Sequence, residues 1–101
     1  MSLKKQYNKT KPVCKVTFIL AKDIAASASQ AYLAGDFNNW EVGSIPMKRL
    51  KSGEFTASIE LEKDREYQFK YIIDGCEWLN ETEADKFVPN EFQSENSVVI
   101  V

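Results

Sequence analysis

The stretch Ala31-Tyr32-Leu33-Ala34-Gly35-Asp36-Phe37-Asn38-Asn39-Trp40 starts as a strand and ends as a polar turn. Tyr32 and Leu33 favour extended backbone, Gly35 interrupts it, and Asp36, Asn38 and Asn39 are turn formers. A large aromatic, Trp40, closes the turn. Amides beside an indole combine hydrogen-bonding groups with a flat apolar surface, which suits a sugar. Further along, Lys70 and Trp78 flank a second turn, Asp74-Gly75. Two turns, two tryptophans and one lysine therefore make up the candidate site.

The segments around this stretch alternate. Over residues 13–20, Lys15 and Thr17 face water while Val16, Phe18 and Leu20 face a core, the pattern of a half-buried strand. Residues 31–35 form the next strand, and residues 47–50 a short one before the Ser52-Gly53 turn. In residues 55–61, Phe55, Ala57, Ile59 and Leu61 share one side. In residues 67–73, Tyr67, Phe69, Tyr71 and Ile73 share one face, with Gln68, Lys70 and Ile72 on the other. Asp74-Gly75 then marks a tight turn, because both residues tolerate positive φ. Residues 76–96 read as irregular and polar, and residues 97–101 as a final β-branched strand. Residues 21–29 are small and polar with a poor apolar period, so they read as a loop. Residues 1–12 are rich in Lys, Asn and Gln and end in Pro12, which predicts a mobile tail. The remainder, residues 13–101, is one module. Short strands, frequent turns and no long amphipathic helix predict an all-β antiparallel sandwich of about six to eight strands.

Composition narrows the functions open to such a chain. At 101 residues it is one domain, long enough for a single core. A net charge of −2 argues against general nucleic-acid binding, which needs a basic stripe. No apolar run reaches the roughly 18 residues of a membrane span. Residues 1–11 lack the apolar segment of a secretory signal, so a cytoplasmic location is expected. The two cysteines, Cys14 and Cys76, form no CxxC pair and no zinc ligand set, and read as reduced, partly buried thiols. Histidine is absent, which removes the commonest general base and metal ligand. No metal or cofactor is expected.

A pyranose ring has an apolar face of C–H groups and a rim of hydroxyls. Aromatic rings cover the first; amides, hydroxyls and charged groups bond the second. Hydroxyls are well hydrated, so each such bond adds only roughly 0.5–1.5 kcal/mol net. The aromatics thus decide whether a glucan binds, and the polar groups decide which sugar and which orientation. Trp40 and Trp78 admit two readings at this level: core indoles, or an exposed platform. Lys70 is either a solvated lysine or a group of the site. Asn96 is either a loop residue bonding backbone or a ligand-binding amide. Asp36, Asp74, Glu77, Glu81 and Asp85 fall in polar turns and read as solvated surface rather than a placed hydrolytic pair. No phosphate-binding glycine loop and no EF-hand spacing is present.

Taken in order, Gly35-Asp36-Phe37-Asn38-Asn39-Trp40, Tyr67-Gln68-Phe69-Lys70-Tyr71-Ile72-Ile73-Asp74-Gly75, Trp78 and Asn96-Ser97-Val98-Val99 resemble a known family. It is that of the glycogen-binding, or isoamylase N-terminal, modules of carbohydrate-binding module family 48. The likeness covers about residues 13–101. It extends to the glycogen-binding domain of the AMP-activated protein kinase β subunit, to domains preceding the barrel of branching and debranching enzymes, and to small stand-alone bacterial modules. The resemblance implies an immunoglobulin-like early-set sandwich that binds α-1,4-linked glucans without catalysis. It also implies site residues: Trp40 and Trp78 for stacking, with Lys70, Phe92, Ser94 and Asn96 around them. Phe92 falls where the kinase modules carry a leucine, and Ser94 where they carry a threonine. Two residues, Cys76 and Glu77, separate Gly75 from Trp78 where the kinase-type pattern has one, a spacing that bears on the aim of Trp78. The expected partner is an α-glucan. The competing reading is a protein-interaction module that docks on a separate glucan-metabolising enzyme or kinase with a weakened sugar face. A hydrolase is the third reading.

Overall fold

Alternation of apolar and polar residues, at the two-residue period of a pleated strand, builds the long strands of the molecule. The computed structural model describes residues 3–22, 28–74, 77–81, 83–90 and 94–101. In chain order the strands are β1 (Leu3–Tyr7), β2 (Val13–Leu20), β3 (Ala31–Gly35), β4 (Lys48–Arg49), β5 (Phe55–Glu62), β6 (Glu66–Ile73), β7 (Glu77–Leu79), β8 (Lys86–Pro89) and β9 (Glu95–Ile100). A 3-10 turn, Asp36–Asn38, follows β3. Among the described residues all strand pairs are antiparallel. One sheet has the order β1-β2-β5-β4; the other has the order β3-β6-β9-β8, with β7 also on β6. The fold is the expected all-β sandwich, with about nine strands rather than six to eight.

The central strand of the second sheet is β6. Along one edge β3 pairs from Ala31↔Ile73 to Gly35↔Phe69. Along the other, β9 pairs with the first half of β6 and β7 with the second half. Between the sheets, Val16, Phe18, Leu33, Phe69, Tyr71 and Val99 are fully buried. Phe18 meets Phe69 edge-on at 4.9 Å, and Phe69 meets Tyr71 edge-on at 5.8 Å. Edge-to-face geometry sets the positive rim of one ring on the negative face of the next. This aromatic row fixes β2 against β6.

Three sequence expectations need correction. Residues 1–12 are not a tail throughout: Leu3–Tyr7 is an edge strand that pairs with β2 from Leu3↔Phe18 to Tyr7↔Cys14. Its alternation is weak because four of its five residues are exposed; Leu3 alone is buried. Residues 76–96 are less irregular than they read, since they contain β7 and β8 and the start of β9. The short length of β7 and β8 hides their period. The acidic turn residues are also not simply solvated. Asp74 Oδ1 accepts the backbone N–H of Ser29 and Gln30, and Asp85 Oδ2 accepts that of Ile100 and the Lys5 ammonium. Glu81 is 3% exposed. Of the cysteines, Cys14 is buried and free. The loop expected at residues 21–29 falls largely on residues 23–27, outside the described residues, as do Gly75 and Cys76.

Candidate functional site

Residues that pair directly across antiparallel strands share a face. Trp78 lies opposite Ile72, so it shares a face with Lys70 and Gln68, two and four residues back along β6. Gln68 lies opposite Val98, which puts Asn96 on that face as well. It is the outer face of the second sheet, turned away from the aromatic row. Ala34, Ile72 and Val98 stand on it and are nonetheless buried, so their neighbours roof it over.

Trp40 reaches this face from the loop after β3. Gly35 opens that loop, and a side chain there would collide with the carbonyl oxygen of Gln68 and meet the Phe37 ring at 2.9 Å. Asn38 then braces the turn. Its Oδ1 accepts the Gly35 N–H at 2.9 Å, and its Nδ2 donates to the Glu41 carbonyl at 3.1 Å and the Ser44 hydroxyl at 2.8 Å. Asn39 and Trp40 both take left-handed backbone, with φ of 55° and 59°. Asparagine tolerates this; for tryptophan it costs roughly 1–2 kcal/mol. Two bonds hold Trp40 there: its N–H to the Gly35 carbonyl at 2.9 Å, and its indole Nε1–H to Asp36 Oδ1 at 3.1 Å. The other oxygen, Asp36 Oδ2, accepts the Gln68 N–H at 2.8 Å. One carboxylate thus ties the indole to the central strand.

These elements enclose a groove of about 730 Å³ lined by Trp40, Gln68, Lys70, Trp78, Asn90, Ser94 and Asn96. Five of the six residues named from the sequence meet here: Trp40, Lys70, Trp78, Ser94 and Asn96. The sixth, Phe92, lies outside the described residues. Trp78 is 43% exposed, so it is not a core indole, and the Cys76-Glu77 spacing still leaves it on the groove. Lys70 has no carboxylate partner among the described residues. Its cross-strand neighbour Ala34 is small and leaves room for the lysine stem.

Sequence reading missed Gln68 and Asn90. Gln68 stands on the face of β6 that its alternation predicts, and only its neighbours there make it part of a site. Asn90 gives no local signal. In the fold, Asn90 Nδ2 donates to Asn96 Oδ1 at 3.0 Å, and Asn96 Nδ2 donates to Gln68 Oε1 at 2.9 Å.

A buried polar knot anchors the segment behind Trp78. The Tyr71 hydroxyl donates to Glu81 Oε1 at 2.7 Å, and Glu83 N–H donates to Glu81 Oε2 at 2.8 Å. Glu81 N–H donates to the Ser97 hydroxyl, which donates to Asn80 Oδ1. Burial first, then the adjacent Glu81 charge and its hydrogen bond, push the Tyr71 phenol far above its usual range. The knot leaves no buried side-chain nitrogen or oxygen unpaired among the described residues. Glu81 is therefore a structural acceptor that fastens the end of β7 to β6 and β9. Among the described residues no cluster of His, Cys, Asp or Glu is arranged to hold a metal.

No curated protein matches the sequence. The family described as the glycogen recognition site of AMP-activated protein kinase matches residues 24–101, well over half of the chain. That span includes every residue lining the groove. On this match and on its two-sheet antiparallel architecture, the chain belongs to the AMP-activated protein kinase glycogen-recognition family, a carbohydrate-binding module of the family 48 type.

Proposed function

We propose that the groove binds α-1,4-linked glucans, glycogen or maltooligosaccharides, with Trp40 and Trp78 stacking on sugar rings while Lys70, Asn96 and Ser94 bond the hydroxyl rim. The convergence of two tryptophans and a lysine on one groove, from three separate stretches of sequence, carries this reading. Membership of a non-catalytic, glycogen-recognition family supports it. The indole nitrogen of Trp40 is already bonded to Asp36, so this ring offers a ligand its apolar faces. Stacking there removes C–H surface from water, the dominant favourable term for a hydrated ligand. Asp36, the carboxylate beside Trp40, is taken up by the indole N–H and the Gln68 backbone N–H, which supports binding without hydrolysis.

The test is titration with β-cyclodextrin followed by tryptophan fluorescence and calorimetry. Trp40→Ala and Trp78→Ala are each expected to weaken binding about 10- to 100-fold, the equivalent of roughly 1.5–3 kcal/mol for a large apolar contact. Their thermal unfolding should stay cooperative. Wild-type protein that shows neither a fluorescence change nor heat at millimolar ligand sinks the proposal.

A further inference from the structure

We propose that Asn90 sets the hydrogen-bond polarity of the groove wall, so that the wall offers donors and engages sugar oxygens as acceptors. The starting point is a backbone group. Ser94 N–H donates to Asn90 Oδ1 at 3.1 Å, and Asn90 N–H donates to the Ser94 carbonyl at 2.9 Å. A backbone N–H cannot reverse its role, so it fixes which end of the Asn90 amide faces it. The Nδ2 end then points to Asn96 and donates to its Oδ1. That fixes Asn96 in turn, and its Nδ2 donates to Gln68 Oε1. At the end of the relay Gln68 Nε2 has no protein partner among the described residues, and Gln68 lines the groove. The relay therefore delivers two N–H donors beside the Lys70 ammonium, which is itself donor-only.

This rests on the glucan reading of the groove and refines it. A sugar hydroxyl both donates and accepts. A donor-lined wall uses its lone pairs and leaves its proton for water or a neighbouring hydroxyl. Specificity then arises from where the ligand presents acceptor oxygens, and Asn90 governs it as a positioning residue.

Asn90→Asp tests the idea with almost no change of shape. Both carboxylate oxygens accept, so Asn96 must turn its Nδ2 toward residue 90. Its Oδ1 then takes the Gln68 amide, and Gln68 Oε1 faces the groove instead of Nε2. Gln68→Glu places an acceptor there directly and serves as the second variant should the first fail to fold. Each is expected to weaken β-cyclodextrin binding about tenfold, because acceptor-only ring and glycosidic oxygens lose their donor and any hydroxyl there must reverse its bond. Side-chain amide NMR supplies a readout that loss of packing does not mimic. In the wild type the Gln68 Nε2 protons exchange with solvent and shift on ligand addition. In Asn90→Asp they become protected by Asn96 and no longer respond to ligand. Wild-type binding with unchanged affinity and unchanged Gln68 amide signals in Asn90→Asp overturns the relay. Failure of the wild type to bind overturns the glucan reading, and the relay's role in recognition with it.

Discussion

At the scale of single residues, Asp36 does the most with the least. It sits in a solvent-facing turn, yet its two oxygens hold the indole of Trp40 and the backbone of Gln68. Trp40 needs such help, because its left-handed backbone is unfavourable for a bulky side chain. Asp36→Ala is expected to cost about 1–3 kcal/mol, the range for charge-assisted bonds, measured by urea denaturation. It should also free the indole N–H, giving faster Nε1 proton exchange and weaker β-cyclodextrin binding than its stability loss explains. Local sequence shows that a turn-forming aspartate is present at position 36. It does not show that the aspartate faces a strand some thirty residues away, since that contact exists only once β3 and β6 pair in register.

At the scale of elements, β1 was the least legible strand and β6 among the most. In β6 alternating aromatics and isoleucine announce a buried face. In β1 only Leu3 enters the core, while Lys4, Lys5, Gln6 and Tyr7 are exposed, so no period can be read. Its place at a sheet edge explains the composition: exposed lysines there discourage pairing with other chains. Removal of residues 1–7 is expected to lose the Leu3 contact and the Lys5–Asp85 ion pair and to uncover the edge of β2. The cost should be about 1.5–3 kcal/mol from apolar burial, seen in thermal unfolding. Light scattering on warming should show earlier aggregation than for the full chain.

At the scale of the whole molecule, stability and site are linked through the buried knot behind Trp78. Tyr71 is neutral in the fold, and its phenol is held above the ordinary value near 10 by burial and by Glu81. The folded value is thus raised above the unfolded one. Its contribution to stability is fully present below about pH 10 and is lost as pH rises past that point, where the unfolded chain ionises first. Tyr71→Phe should lower stability at neutral pH by about 1–3 kcal/mol, because Glu81 keeps a buried oxygen without its donor. It should also flatten the fall in stability between pH 9 and 11 relative to the wild type, read from urea midpoints across about that range. An equally steep fall in both proteins would place the alkaline sensitivity elsewhere.

The sequence by itself determined the strands β2, β3, β5 and β6, their inward faces and the β-sandwich class. Side-chain direction alternates with a period of two residues, and that is a local property of extended backbone. It also brought Trp40, Lys70, Trp78, Ser94 and Asn96 together through their resemblance to glucan-binding modules. Only the tertiary structure decided that these residues share one groove, that Trp78 is exposed, that Glu81 is a buried fastening, and that Gln68 and Asn90 belong to the wall. Those outcomes depend on strand register and on hydrogen bonds between segments far apart in the chain, which no local periodicity encodes. The opening stretch fixed where Trp40 stands in the sequence; pairing of β3 with β6 decided what its ring faces.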